Sequence, residues 1–528
     1  MAIIINNISA PLEMKPEEVI GRALKLCGLN ARGAVRADIH KTSLDARRRG
    51  SIHFVHSVYI ELDDPAAEKK ICERVKGSRY AEPAVIMPQF GEAKPEGRII
   101  IAGFGPAGMF AALLLARYGY RPLVLEKGAS VDERTALVKR FWRTGELDER
   151  SNVQFGEGGA GTFSDGKLTT RIRDPRCRFV LETFAQFGAD KSVLTKAKPH
   201  IGTDVLRDVV KNMRGEIISL GGEVCFDTPL TGLNISDGRV KSVVSSRGEE
   251  PCAALIAAVG HSAHDTLRLF HGTGIQLEPK AFSVGARIEH KQSAVDYSLY
   301  GKLAGSPMLP VGEYQLSHHT ASGRGVYTFC MCPGGTVVAA ASETGRVVTN
   351  GMSEFARSGD NANAAVAVSV TPEDYEGVFG GVELQAQIER AAYQATRDYI
   401  APATTVGGFL SGKPSLKNAS VSPTYSRGVE AYELRKLFPG FVTDTLEEGL
   451  RAFSKKLSCF GDKGAVLTAP ETRTSSPVRM PRSESLTSVS AENLYPCGEG
   501  AGYAGGITSA AVDGIRAALA VMERFGHE

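Results

Sequence analysis

Residues 98–128 read RIIIAGFGPAGMFAALLLARYGYRPLVLEKG, and this stretch decides the fold. The apolar run Ile99–Ala102 predicts a buried strand. Gly103-x-Gly105-x-x-Gly108 follows, then a helical apolar pattern to about Tyr118, then a second apolar run ending in Glu126. Strand, glycine turn, helix, strand and acid in that order make a dinucleotide site. Gly103 permits the tight turn, Gly105 has no side chain to block a pyrophosphate, and Gly108 lets helix and strand pack closely. Pro106 and Ala107 open the helix, whose free N–H groups and partial positive charge favour phosphate. Glu126 lies where a carboxylate reaches ribose hydroxyls, with Lys127 beside it.

Working outward, 528 residues exceed what one small core holds, so several domains are expected. Hydrophobic content of 42% and charged content of 23% fit a globular chain. A net charge of +3 indicates neither nucleic acid nor membrane as a partner. The longest late apolar stretch, Ile507–Met522, carries Asp513 and Arg516 and reads as a packed helix, not a membrane span. The 9 cysteines lack a CxxC pair; Cys330 and Cys332 are too close for the usual zinc or dithiol spacing. No metal site is expected, and with no signal-peptide layout a cytoplasmic location is.

Residues 1–90 alternate as strand Ile3–Ile8, helix Pro16–Leu26, strands Val35–Ala46 and Ile52–Leu62, helix Asp64–Val75 and strand Ala84–Met87. This βαββαβ order predicts a ferredoxin-like module. Its basic turn Arg47–Arg49, with Lys41 nearby, reads as a solvated tip more readily than as an anion or RNA site. Pro88–Gly97 is a linker by composition. Residues 98–279 would form the first part of a Rossmann domain, with Gly222–Phe226 and Ala253–Val259 as further strands. Residues 280–455 would be an inserted α+β substrate domain, including strands Phe282–Glu289, Val326–Cys332 and Thr336–Ala341 and helix Glu383–Tyr399. Residues 456–528 would return to the first domain. The fold class is therefore α/β, with an interrupted Rossmann domain, an inserted domain and a front module.

A second chemical signal is Asn493–Ala518, NLYPCGEGAGYAGGITSAAVDGIRAA. Apolar residues lead to Gly498-Glu499-Gly500, then to a glycine turn with Gly505 and Gly506, then to a helix from Ile507. A helix N-terminus set against a flavin stabilises the negative charge of the reduced ring near N1 and O2. The segment resembles the late strand, Gly-Glu turn and helix of glutathione-reductase-like flavoproteins, and that resemblance moves the expected ligand from NAD or FAD to FAD. The loop Asn152–Arg171 carries Gly156, Gly158, Gly159 and Gly161, whose backbone N–H groups are accessible, and polar Thr162, Ser164, Asp165 and Lys167. Such a loop suits a pyrophosphate or ring edge, or a mobile cover over the site.

These segments, with AVGHSAHDT (258–266) and FCMCPGGTVVAAASE (329–343), resemble a bacterial family of FAD-dependent dehydrogenases of glutathione-reductase-like type with a ferredoxin-like front module. The resemblance covers nearly the whole chain. It implies non-covalent FAD, with Gly260 in the turn near the adenosine half, Leu230 near adenine and Glu499 at the ribityl chain. It names no substrate. For catalysis the candidates are Arg473 and Arg479, whose guanidinium forks suit an anionic small molecule, and His319. His261 and His264 read as loop histidines.

A second GxGxxG for NAD(P) is absent, Gly407–Lys413 fails as a P-loop because Pro414 follows, and no G-x-S-x-G elbow occurs. The expected activity is hydride transfer between flavin N5 and an organic substrate. The alternatives are an NAD(P)H-dependent reductase or hydroxylase, with NAD(P)H docking transiently, and a non-catalytic flavin-bound binding protein.

Overall fold

The computed structural model describes residues 2–30, 33–81 and 86–526 of a mixed α/β protein. At the front, a four-stranded antiparallel sheet has the order Arg36–Asp45, His53–Glu61, Ala2–Ala10, Ser78–Tyr80. Alternate residues Ile3, Ile5, Val58 and Ile60 face one side. There they meet Val19, Ala23 and Leu24 of helix Pro16–Cys27 and Ile71 of helix Pro65–Arg74. Gly28, at φ 74°, closes the first helix, and Asp64 caps the second by accepting the Ala66 N–H at 2.8 Å. The last strand falls at Ser78–Tyr80, earlier than the expected Ala84–Met87. Of that stretch, 84–85 lie outside the described residues and 86–87 are not strand.

The basic turn is exposed, as a solvated tip should be, with Arg49 tethered to the body. Arg47 pairs with Asp45, and Arg49 Nη2 donates to the Ser298 carbonyl at 2.6 Å. Thr42 also exchanges backbone hydrogen bonds with Thr195 and Ala197, at 2.7 and 2.8 Å. The front sheet is thereby tied to the body at its edge strand.

The second, seven-stranded sheet contains a parallel set in the order Glu223–Cys225, Leu123–Leu125, Arg98–Ala102, Gly248–Ala257, Leu494–Pro496. The first half of Gly248–Ala257 also pairs antiparallel with Arg239–Ser245, which pairs with Leu230–Ser236. Strands buried on both faces read as unbroken apolar runs, which is why Ile99–Ala102 was legible. Helix Pro106–Arg117 is buried along Ala107–Ala116 and crosses helix Ile507–Arg524 at small residues. A Cβ on Gly514 would stand 2.0 Å from the Ala107 carbonyl oxygen.

The third sheet, also seven-stranded, runs Ser317–His319, Gly325–Cys332, Asn361–Val370, Phe282–Lys291, Val466–Glu471, Ala401–Thr405, Val429–Ala431. Val466–Glu471, expected in the return segment, pairs instead with Phe282–Lys291. The boundary expected at 455 therefore falls too early. Chain entry and exit lie side by side, Glu278–Pro279 pairing with Val478–Arg479. The helix expected over Glu383–Tyr399 is Gly380–Thr396, because Arg397, Asp398 and Tyr399 all turn to positive φ. No described helix is long and apolar enough to cross a membrane.

Candidate functional site

Three parallel strands end in glycine turns at the same edge of their sheet: Arg98–Ala102 at Gly103, Gly248–Ala257 at Gly260, and Leu494–Pro496 at Gly498. The C-terminal ends of parallel strands are where α/β sheets bind ligands. Gly103 has φ 98°, and a Cβ there would lie 2.4 Å from the Ala258 carbonyl oxygen. On Gly108 a Cβ would lie 2.0 Å from the Gly103 carbonyl oxygen. These two glycines are required by the protein's own packing. Gly260, Gly505 and Gly506 differ: a Cβ on any of them meets nothing within 4 Å. On Gly105 it would find only the Gly159 Cα, at 3.7 Å.

The loop from Asn152 to Arg171 joins the ends of this glycine edge. Gly158 N–H donates to the Phe104 carbonyl at 2.9 Å, and Gly159 lies against Gly105. Further along, Gly161 faces the Ile507 side chain, and Thr508 Oγ1 donates to the Leu168 carbonyl at 2.8 Å. A gap lined by Pro106, Gly158, Gly161 and Ile507 lies between the two helix N-termini. A larger open cleft, beside Lys291, Asp360 and Ser420, includes none of these residues.

The loop's polar side chains are committed to the protein. Thr162 Oγ1 donates to the Glu157 carbonyl at 3.3 Å, and Ser164 Oγ donates to the Gly161 carbonyl at 2.7 Å. Buried Asp165 is gripped by Arg357 and by Lys167, at 2.5 and 2.7 Å, and Lys167 also reaches Glu313 at 3.2 Å. What the loop offers a ligand is backbone.

Glu126 is buried, and its carboxylate accepts N–H bonds from Phe104, Gly128 and Gly156 at 2.8, 2.9 and 3.0 Å. It ties three turns together, a role its spacing alone did not suggest. Oε2 takes only the Phe104 N–H and retains room for another donor. Lys127 pairs with Asp265 at 2.7 Å and lies over the Phe155 ring. Leu230 begins a strand just after Thr228, whose N–H donates to the Glu126 carbonyl at 2.8 Å.

At the far end, Glu499 is half-buried, 3.7 Å from His261 Nδ1. The buried Nε2 of His261 has no hydrogen-bond partner among the described residues. The turn itself is held by Asp513, which accepts the Gly498 N–H at 2.8 Å and is clamped by both Arg482 nitrogens at 2.9 and 2.7 Å. Sequence reading missed Asp513 and Arg482. The available signal was an acid inside an otherwise apolar helix.

The catalytic candidates do not assemble. Arg473 is buried in a network: Nε donates to Glu389 at 2.7 Å, Nη2 to Glu343 at 3.0 Å, and Nη1 stands 3.0 Å from His264. With every arm engaged, this guanidinium is structural. His319 lies exposed on an edge strand opposite Gly325, away from the glycine turns. Arg479 is exposed, over the Tyr503 ring. Beside it stands Lys280, whose amine is pushed down by burial and then by the Arg479 charge, while Glu499 pulls it up. Lys280, the second cation near Glu499, had no sequence signature.

The residues present fit a flavin dinucleotide. A glycine edge faces open space, two helix N-termini flank it, and a buried carboxylate keeps acceptor capacity. Among the described residues no group of His, Cys, Asp and Glu is arranged to hold a metal.

Residues 281–474 match the family described as FAD-dependent protein, C-terminal domain-like. An uncharacterized protein of Clostridium beijerinckii is 44% identical over 532 residues, covering 99% of each chain. Among solved structures, glycine oxidase from Bacillus cereus is 12% identical with TM-score 0.29, covering 82% of this chain and 97% of its own. L-proline dehydrogenase from P. horikoshii is 10% identical with TM-score 0.32, covering 82% and 92%. Likeness that distant assigns no substrate.

Proposed function

We propose, since the chain belongs to the family of the C. beijerinckii protein and matches an FAD-dependent protein domain over residues 281–474, that it is an FAD-dependent oxidoreductase passing hydride between flavin N5 and an anionic organic substrate. The observation that carries this reading is the loop Asn152–Arg171, which touches the Gly105 turn at one end and the start of helix Ile507–Arg524 at the other. FAD, when bound, supplies a two-electron acceptor at N5. The chain's part is placement. Gly103–Gly108, Gly156–Gly161 and the N-terminus opened by Pro106 would hold the pyrophosphate. Glu126 Oε2 would take a ribose hydroxyl, Gly260 and Leu230 would border the adenosine, and Glu499 the ribityl chain. Gly505, Gly506 and Ile507 would set a helix N-terminus at the N1/O2 edge, worth about 0.3–2 kcal/mol for a negative charge. Lys280 and Arg479, adjacent cations, are the groups an anionic substrate would meet.

The same reading makes residues 1–90 a ferredoxin-like module, supported by the strand order of the front sheet. It makes 98–279 with the C-terminal segment one interrupted Rossmann domain of glutathione-reductase-like type. The intervening residues form its substrate domain, in a protein of the cytoplasm. Whether NAD(P)H donates electrons is decided by mixing the yellow protein anaerobically with NADH, NADPH and a panel of organic acids while following flavin bleaching. Bleaching by one organic acid, slowed at least tenfold in Lys280→Ala, supports the proposal. Bleaching by NAD(P)H alone would make the enzyme a reductase, and no bleaching by any of them would remove the catalytic reading.

A further inference from the structure

Two thiols stand together on the third sheet. Cys330 and Cys332 lie at the end of strand Gly325–Cys332, where pairing with Asn361–Val370 slips between Phe329 and Cys332. Cys330 sits in that slip with φ 43°, a conformation a residue with a side chain adopts only where its surroundings impose it. In a flat strand residues two apart are roughly 6.6 Å from each other, at the upper edge of what a disulfide spans, and a bulge bends the strand. Cys332 Sγ approaches the Cys330 carbonyl at 3.3 Å, which folds the second side chain back over residue 330.

The surroundings favour a thiolate. Buried Arg287 donates to the Cys330 carbonyl at 2.9 Å, and is itself fixed by Glu471 through two bonds of 2.9 Å and by Asn363 at 2.8 Å. The neighbouring Cys332 thiol lowers the Cys330 thiol against burial, with the Arg287 and Lys167 charges helping. Elsewhere burial acts alone or dominates, raising Cys252 to about 12 and Cys27 and Cys459 to about 11. Cys332 is buried, while Cys330 is half-buried beside the exposed Phe329 ring, so Cys330 is the member of the pair nearer solvent. A reactive thiol with a resolving partner behind it is the arrangement thiol–disulfide exchange needs.

We propose that Cys330 and Cys332 form a redox-active dithiol whose substrate class is disulfides. The Cys330 thiolate attacks one sulfur of an incoming disulfide. A mixed disulfide forms, the incoming S–S bond breaks, and the first thiolate leaves with the proton Cys330 gave up. Cys332, losing its own proton, attacks the Cys330 sulfur. The Cys330–Cys332 bond closes and the second thiolate departs, taking that proton. The incoming disulfide is reduced to two thiols, and the pair is oxidised by the same two electrons.

The test uses the reduced, full-length, FAD-loaded protein with oxidised glutathione as the probe. After exposure it is denatured, alkylated and weighed, and its peptides are mapped. Two of the nine cysteines should escape alkylation, in one peptide cross-linked between Cys330 and Cys332. Cys332→Ser should stop at a glutathione adduct on Cys330, and Cys330→Ser should take up none at this strand. Full alkylation of all nine in the wild type, or adducts confined to other cysteines, overturns the proposal. The wild-type arm needs no variant to fold, and its result does not depend on flavin reduction.

Discussion

The glycine edge and the Arg473 network stand at opposite extremes of how a protein builds a polar region. At the edge, Gly105, Gly260, Gly505 and Gly506 leave backbone facing space that the protein does not fill. In the network, Arg473, Glu389, Glu343, Arg346 and His264 fill one another completely, the innermost groups being buried. The first region is incomplete without a ligand. The second satisfies itself, and it joins helix Gly380–Thr396 of one core to His264 of helix His264–Gly272 in another. An arginine near a candidate site therefore says little until its partners are known.

The sharpest way to break this comparison is Arg473→Met. It leaves buried Glu389 with Arg346, 3.7 Å away, as its one ion-pair partner among the described residues, and takes from Glu343 one of its two arginines, Arg346 remaining at 2.7 Å. Removing one partner of a buried ion pair costs about 3–5 kcal/mol. The urea midpoint should fall accordingly, while the flavin turnover per folded molecule stays near wild type. Unchanged stability with lost turnover would return Arg473 to the catalytic role.

Gly108→Ala comes next. Its new methyl would press on the Gly103 carbonyl oxygen, a backbone atom, and overpacking costs about 1–3 kcal/mol. Stability and flavin retention should fall together, because the turn and the helix move as one. A variant as stable as wild type would show that the turn yields more easily than its geometry implies.

The network also predicts acid sensitivity. Burial, then Arg473, pushes His264 down to about 4 from an ordinary value of 6.5. The folded state therefore favours neutral imidazole. That contribution is complete above pH 6.5 and is lost as pH falls through 4. Glu343, held down at about 2 by His264 and Arg473 against burial, loses its contribution only below pH 4.5. Urea midpoints at pH 7, 5.5 and 4.5 should decline in wild type and decline less in His264→Gln. Parallel declines would mean His264 titrates normally.

How much of this was legible follows from the same contrast. The glycine edge could be read because its requirements are local: a turn needs Gly103, a close crossing needs Gly108, and both lie within one strand–turn–helix. The front sheet was readable because alternation along Ile52–Leu62, with His56, Val58, Ile60 and Leu62 buried, reports a buried face directly. Arg473 could not be read, since Glu389, Glu343 and His264 are brought to it from 84, 130 and 209 residues away. Asp513 was in view but was weighed only against a membrane span. Its partner Arg482 lies 31 residues earlier, beyond any helical spacing. Cys330 and Cys332 were set aside on the usual zinc or dithiol motif spacing, which carries no information about the bulge at Cys330.

The smallest effect on stability, and the most telling one, belongs to Gly505→Ala. Gly505 is not at positive φ, and an added Cβ meets nothing within 4 Å, so backbone strain and crowding are both absent. An exposed change of this kind moves stability by about 0.5 kcal/mol or less. If the flavin ring edge occupies that space, however, the methyl collides with the ligand instead of the protein. FAD should then dissociate about tenfold more readily, read as flavin fluorescence released on dilution, while the urea midpoint of the flavin-free protein does not move. Equal flavin retention in Gly505→Ala and wild type would mean the emptiness there is solvent, and the ring would have to be sought along the Gly161–Ile507 gap instead.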